Sequence, residues 1–224
     1  MSVFSNFVAN SELRKRVLAG ILLIGIIGIP IFIGGSVFVS LLLALCVLAT
    51  VEYVQIIKNP KFYSMFVIVL VFSCVYYLRF SDGGLQKMII LSLVIAFFDT
   101  FAYFIGKKFG KRKLAPIISP GKTIEGLAGG VIITTILILP LYFLFDCGVN
   151  VLLYAIFLIV LASLSQVGDL VESAFKRKYG VKDSGTIIPG HGGILDRFDG
   201  YILTAPFFVI VDILLKINNV KFFI

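Results

Sequence analysis

Residues 148–178 read GVNVLLYAIFLIVLASLSQVGDLVESAFKRK, and the fold depends on how this stretch is taken. From 148 to 171 it is almost wholly apolar, long enough to cross a hydrocarbon core that takes about 20 helical residues. Its far end carries two acids, Asp169 and Glu172, and then three cations, Lys176, Arg177 and Lys178. An apolar run that ends in a dense patch of both charges is the pattern of a membrane helix leaving the bilayer.

Runs of similar length recur outward from it in both directions, at roughly 17–34, 36–57, 62–80, 85–106, 123–145 and 194–216. The whole chain of 224 residues is 59% hydrophobic and 14% charged, far from the composition of a soluble domain. The expected fold is therefore all-α: a polytopic integral membrane protein of about seven transmembrane helices. One domain is expected over 1–224, without a long linker. The first run follows Arg14, Lys15 and Arg16 as a secretory signal would, but it is too long and lacks an A-x-A site, so it is expected as the first span. Phe4, Phe7, Val8 and Leu13 ahead of it suit a short interfacial helix.

Lysine and arginine set the orientation. With the N-terminus in the cytoplasm, Arg79, Lys87, Lys216 and Lys221 fall outside, and the other 16 of the 20 basic residues fall inside. Both charged loops then face the cytoplasm, where nucleotides are. This bias, with attraction to anionic lipid, accounts for the net charge of +8. No nucleic-acid-binding motif accompanies it. Cys46, Cys74 and Cys147 have no metal or redox spacing and are expected as small core residues.

Three segments could carry chemistry. In SPGKTIEG (119–126), Ser119 suits an N-cap and Pro120 the first helical position, so helix N–H groups would face an anion beside Lys122. A Walker A reading fails, because Pro116 stands where that motif needs glycine. Taken alone, the segment reads as a capped helix with a snorkelling lysine. In QVGDLVES (166–173), Asp169 and Glu172 share a helix face and oppose the dipole at a helix C-terminus. Salt bridges to Lys176 and Arg177 would compensate them, and a metal ion would do so better. In DRFD (196–199), Asp196 and Asp199 also share a face, where the plain reading is helix-start chemistry. The two acid pairs together outline an oxygen cage for a divalent cation.

Asp99, deep in the fourth run, is a functional candidate as an intramembrane acid, with a hydrogen bond to a neighbouring helix as the plain alternative. Glu52 in the second run is similar and less informative. His191, among Gly190, Gly192 and Gly193, could act as a base, donate to phosphate or close a turn. Gly126, Gly129 and Gly130 are read as helix packing.

The stretch from Ser173 resembles the signature of the phosphatidate cytidylyltransferase family. It runs Ser173, Phe175, Lys176-Arg177, four residues, Lys182-Asp183, Gly185, Ile188-Pro189, His191-Gly192-Gly193 and Asp196-Arg197-Phe198-Asp199. The S-P-x-K-T-x-E-G and Q-x-G-D-L-x-E-S elements upstream resemble it too, in the family's order. The similarity covers 99–224, while 1–98 matches only as apolar helices. The resemblance implies transfer of a cytidylyl group from CTP to phosphatidate, giving CDP-diacylglycerol and pyrophosphate. It implies magnesium, with room for a second ion, held by Asp169, Asp196 and Asp199 with help from Glu172. It implies that Ser119, Lys122, Thr123 and Glu125 bind the nucleotide and that Lys176, Arg177, Lys182, Asp183, His191 and Arg197 serve catalysis. CTP, phosphatidate and membrane lipid are the implied partners, with no nucleic acid and with room for a homodimer. The implied location is a bacterial-type inner or plasma membrane, with the active site at the cytoplasmic ends of the helices.

Three rivals are weighed against this. A CTP-dependent polyprenol kinase would transfer the γ-phosphate and would not need the full loop signature. CDP-alcohol phosphatidyltransferases need D-G-x-x-A-R, which neither Asp82-Gly83 nor Asp199-Gly200 begins. A transporter or channel would spread its charges along a path across the membrane, whereas here they gather at one face.

Overall fold

A computed structural model of the chain describes residues 25–57, 65–185 and 192–223. The expected interfacial helix, residues 17–24 of the first span, Lys58, Lys61 and His191 lie outside these residues. Helix α1 (25–33) breaks at Gly34, where the backbone turns left-handed, and α2 (Gly35–Ile56) follows. Then come α3 (Phe66–Phe80), α4 (Gly84–Phe109), β1 (Lys113–Ala115), β2 (Ser119–Thr123), α5 (Ile124–Ile138), α6 (Leu141–Leu144), α7 (Val151–Lys178), α8 (Leu195–Phe198) and α9 (Tyr201–Ile217).

Among the described residues, four segments are long and apolar enough to cross a membrane: Gly35–Ile56, Gly84–Phe109, Ile124–Leu144 and Val151–Lys178. The apolar helix Phe66–Phe80 is shorter, as is α9. The protein is a polytopic helical membrane protein, but a count of seven spans is not reached among the described residues. Its helices carry large apolar side chains outward, among them Phe32, Leu43, Val47, Ile132 and Ile136, as helices facing lipid do. Leu91, Val94 and Phe98 of α4, Leu158 and Leu161 of α7, and Ala205 and Phe208 of α9 fill the centre.

The all-α expectation holds, with one addition and two changes. β1 and β2 form a small antiparallel hairpin, with Lys113 opposite Thr123 and Ala115 opposite Ser119. Ser119 and Pro120 therefore do not start a helix. Thr123 does, its hydroxyl accepting from the Gly126 amide at 3.1 Å. The last apolar run is also divided. It makes the single turn of α8, then Asp199 and Gly200, then α9, so Asp199 stands ahead of the long helix rather than within it.

The glycines read as packing do pack. A Cβ at Gly126 would come within 2.7 Å of the Ala102 carbonyl, and one at Gly130 within 2.9 Å of the Ala102 Cβ. The α4–α5 contact is backbone against backbone, which small residues permit. At the far end of the bundle, Lys87 and Asp212 pair at 2.6 Å, each only 1% exposed, and Lys216 adds a 3.1 Å contact to the same aspartate. Lys87 lies near the start of α4 and Asp212 near the end of α9, so this network is remote from the charged loop.

Candidate active site

A cavity of about 730 Å³ opens between α4, α5, α7, the hairpin and the α8–α9 junction. Phe98, Ala102, Gly106, Gly126 and Leu127 form its apolar part, where the close α4–α5 crossing brings main chain to the wall. Its polar part combines Asp99, Asp169, Asp196 and Asp199 with Lys107, Lys113, Lys122 and Arg197. Asp99, Asp169 and Asp199 thus come from three separate elements to one space.

Helix α7 continues to Lys178, well past the end of the apolar run, and this length carries Asp169, Glu172 and Lys176 on one rigid element. Its basic last turn offsets the negative end of the helix dipole. Gly168 lets the α8–α9 junction approach: a Cβ there would sit 2.5 Å from the Asp199 carbonyl oxygen. Carboxylate oxygens of Asp169, Glu172 and Asp199 consequently lie within 4.8 Å of one another. Burial, reinforced by Asp169 and Asp99, pushes the Asp199 carboxyl up to about 8. Lys122 pairs with Asp169, and Lys176 pairs with Glu172 at 2.6 Å. Among the described residues, Lys176 meets one buried Glu172 oxygen and the other has no hydrogen-bond partner. Crowded carboxylates with an acceptor left over suit a hard divalent cation, which binds oxygen.

Asp196 does not join this group. Its carboxylate meets Lys176 at 2.6 Å and accepts the amides of Ser184 at 2.9 Å and Gly193 at 2.8 Å. Burial would raise its pKa, but Lys176 and these two amides outweigh it and hold the group below its ordinary value. Its acceptor sites are taken by the protein, so it braces the loop at the cavity edge instead of completing the three-carboxylate cluster.

The expected nucleotide residues also divide. Lys122 and Thr123 line the cavity; Ser119 and Glu125 do not. One Glu125 oxygen accepts the Lys111 and Arg112 amides at 3.0 and 3.1 Å, and the other meets the Arg112 side chain at 3.2 Å. Both oxygens serve to hold the hairpin, and a carboxylate would in any case repel phosphate. Among the expected catalytic residues, Arg197 lines the cavity and Lys176 bridges Glu172 and Asp196. Arg177 donates to the Ile118 and Val181 carbonyls, each at 3.2 Å. Lys182 and Asp183 are exposed and do not line the cavity. Lys107, Lys113 and Gln166 line it without having been singled out. The first two sit in the basic KKFGKRK segment, whose charges signal only topology in the sequence.

Comparison with known proteins places these features in a context. The family model described as "Cytidylyltransferase family" matches residues 61–214, starting well ahead of residue 99. A "Phosphatidate cytidylyltransferase" of Staphylococcus haemolyticus is 47% identical over 131 residues, 58% of this chain and 50% of that one. Proteins with the same name from Staphylococcus saprophyticus and Staphylococcus aureus (strain COL) are 49% and 48% identical over 123 residues, 55% of this chain and 47% of each. The chain spans about half the length of the curated relatives it matches.

Proposed function

The chain belongs to the cytidylyltransferase family, and on that footing we propose that it is a phosphatidate cytidylyltransferase acting at the cytoplasmic face of a bacterial plasma membrane. The relatives that carry this name are bacterial. In the reaction, a phosphate oxygen of phosphatidate forms a bond to the α-phosphorus of CTP. The bond from that phosphorus to the α–β bridging oxygen breaks, and pyrophosphate leaves with the electron pair.

The observation that carries the reading is the meeting of Asp169 and Asp199, whose carboxylates lie within 4.8 Å of each other and of Glu172, with Lys107, Lys113, Lys122 and Arg197 in one cavity beside apolar helices. Phosphoryl and nucleotidyl transfer need positioning and neutralised charge more than covalent help from protein groups. Asp169, Glu172 and Asp199 would hold a magnesium ion. When bound, that ion would neutralise phosphate charge and favour departure of pyrophosphate. Lys122, beside Asp169 and next to the N-terminus of α5, would take the triphosphate. Lys107, Lys113 and Arg197 add charge for the remaining phosphates. Lys176 holds Asp196 and Glu172 in register and so fixes the loop against α7.

Purified protein with phosphatidate, magnesium and CTP labelled at the α-phosphate should place the label in lipid and release unlabelled pyrophosphate in equal amount. Label reaching lipid only from the γ-phosphate would indicate a kinase, and no transfer at all would refute the proposal. Cysteine labelling in intact cells checks the orientation: the exposed positions 111 and 178 should react from the cytoplasmic side and the exposed position 82, just before α4, from the other.

A further inference from the structure

We infer that Glu52, on the membrane helix α2 and outside the signature, is a positioning residue that fixes the α8 loop of the site. Its effect on turnover rests on the cytidylyl-transfer reading; its hold on the loop does not. Glu52 is fully buried and does not line the cavity. One carboxylate oxygen accepts the Ile194 amide at 2.9 Å. The other accepts the Leu195 amide at 3.0 Å and the Ser184 hydroxyl at 3.2 Å. All three donors belong to the chain on either side of the signature's glycine-rich segment. The two amides stand at the start of α8, where no helical carbonyl can receive them.

Close approach is built in from the loop side. A Cβ on Gly185 would lie 2.7 Å from one Glu52 oxygen, and a Cβ on Gly193 would lie 2.5 Å from the other. Ser184 then passes the constraint onward. Its amide donates to the Asp196 carboxylate, and its hydroxyl accepts the Asp196 amide at 3.3 Å. Asp196 holds Lys176, and Lys176 holds Glu172 of the carboxylate cluster. The neighbouring Tyr53 stacks on Phe175 with ring centroids 5.3 Å apart and planes at 10°. Two consecutive residues of α2 thus grip both arms of the site, α7 through a ring and the α8 loop through a carboxylate. A buried acid in a membrane helix is unfavourable without such donors.

Glu52→Gln keeps the volume but turns an N–H₂ group toward groups that are themselves donors. Its kcat should fall about ten- to a hundred-fold, the range seen when supporting partners of a site are removed, with KM for CTP changing far less. Hydrogen–deuterium exchange of peptides covering 192–199 should speed up while peptides within α4 stay unchanged. Gly185→Ala attacks the same contact from the loop and should reproduce both effects, which keeps the idea testable if Glu52→Gln does not fold. Wild-type turnover per folded molecule in either variant, or unchanged exchange at 192–199, would overturn the inference. Absence of transfer in the wild type would defeat the proposed reaction instead, and the exchange measurement would still decide the role of Glu52.

Discussion

Replacing Asp199 with asparagine should make the metal-free protein more stable while abolishing activity. Oxygens of Asp169, Glu172 and Asp199 lie within 4.8 Å of one another. At that separation, and an effective dielectric near 20, two unit charges repel by about 3 kcal/mol. The rise of the Asp199 carboxyl from 3.8 to about 8 leads to a similar order. At about 1.4 kcal/mol per pKa unit, a rise of that size amounts to roughly 6 kcal/mol, less what cavity water screens. The acid is raised in the folded state, so its favourable contribution is complete below about pH 4 and is lost as pH climbs through about 8. An asparagine side chain does not ionise and would escape this loss. At pH 8 with EDTA we expect the variant to gain on the order of 2 kcal/mol, about 2–4 °C of Tm per kcal/mol for a chain of this size. Magnesium should reverse the order, since an ion at 100 times its Kd stabilises by about 2.7 kcal/mol and the variant has lost a ligand. The assay is thermal unfolding in detergent from pH 5 to 9, with EDTA or with magnesium, alongside transfer activity. A variant that melts below the wild type in EDTA at pH 8, or a wild type whose metal-free stability is flat from pH 5 to 8, would refute the reasoning.

Further outcomes follow from other contacts. Lys122→Ala should raise KM for CTP about ten- to a hundred-fold, the loss of a charge-assisted phosphate contact, with little change for phosphatidate; Lys122→Arg should recover only part, and steady-state kinetics on both substrates would check it. Thr123→Ala should cost about 1 kcal/mol through the lost α5 cap, whereas Thr123→Ser should keep the cap, as chemical unfolding would measure. Lys87→Met should cost about 3–5 kcal/mol by leaving the buried Asp212 with a weaker partner, and the double variant Lys87→Met/Asp212→Leu should recover most of it in melting experiments.

The readable parts of this chain were those in which neighbours in sequence remain neighbours in space. Asp169 and Glu172 share a face because three residues on a helix always do, and the apolar runs mark helices wherever lipid surrounds them. The hairpin was not readable, because Ser119-Pro120 obeys the rules for a helix start as well as Thr123 does. What decides between them is pairing with 113–115, a contact outside the local pattern. Asp196 and Asp199 look equivalent in sequence, yet Lys176 from another helix claims one and the break before α9 directs the other toward α7. Glu52 gave no signal beyond being an acid in an apolar run, since its donors are more than a hundred residues away.

A two-stranded ladder has two outer edges, and the polar backbone along them tolerates water or protein but not hydrocarbon. The β1–β2 hairpin therefore works as a depth gauge: the oily layer must end below it. Asp99 lies eleven residues before Gly110 on α4, about 16 Å lower along the helix axis at 1.5 Å per residue. With the oily layer ending below the hairpin, that is at most about half of a hydrocarbon core roughly 30 Å thick. The cavity is then a polar shaft sunk into the membrane rather than a basin resting on it. In the proposed reaction, a lipid phosphate would sink toward the carboxylates while its acyl chains stayed in the bilayer.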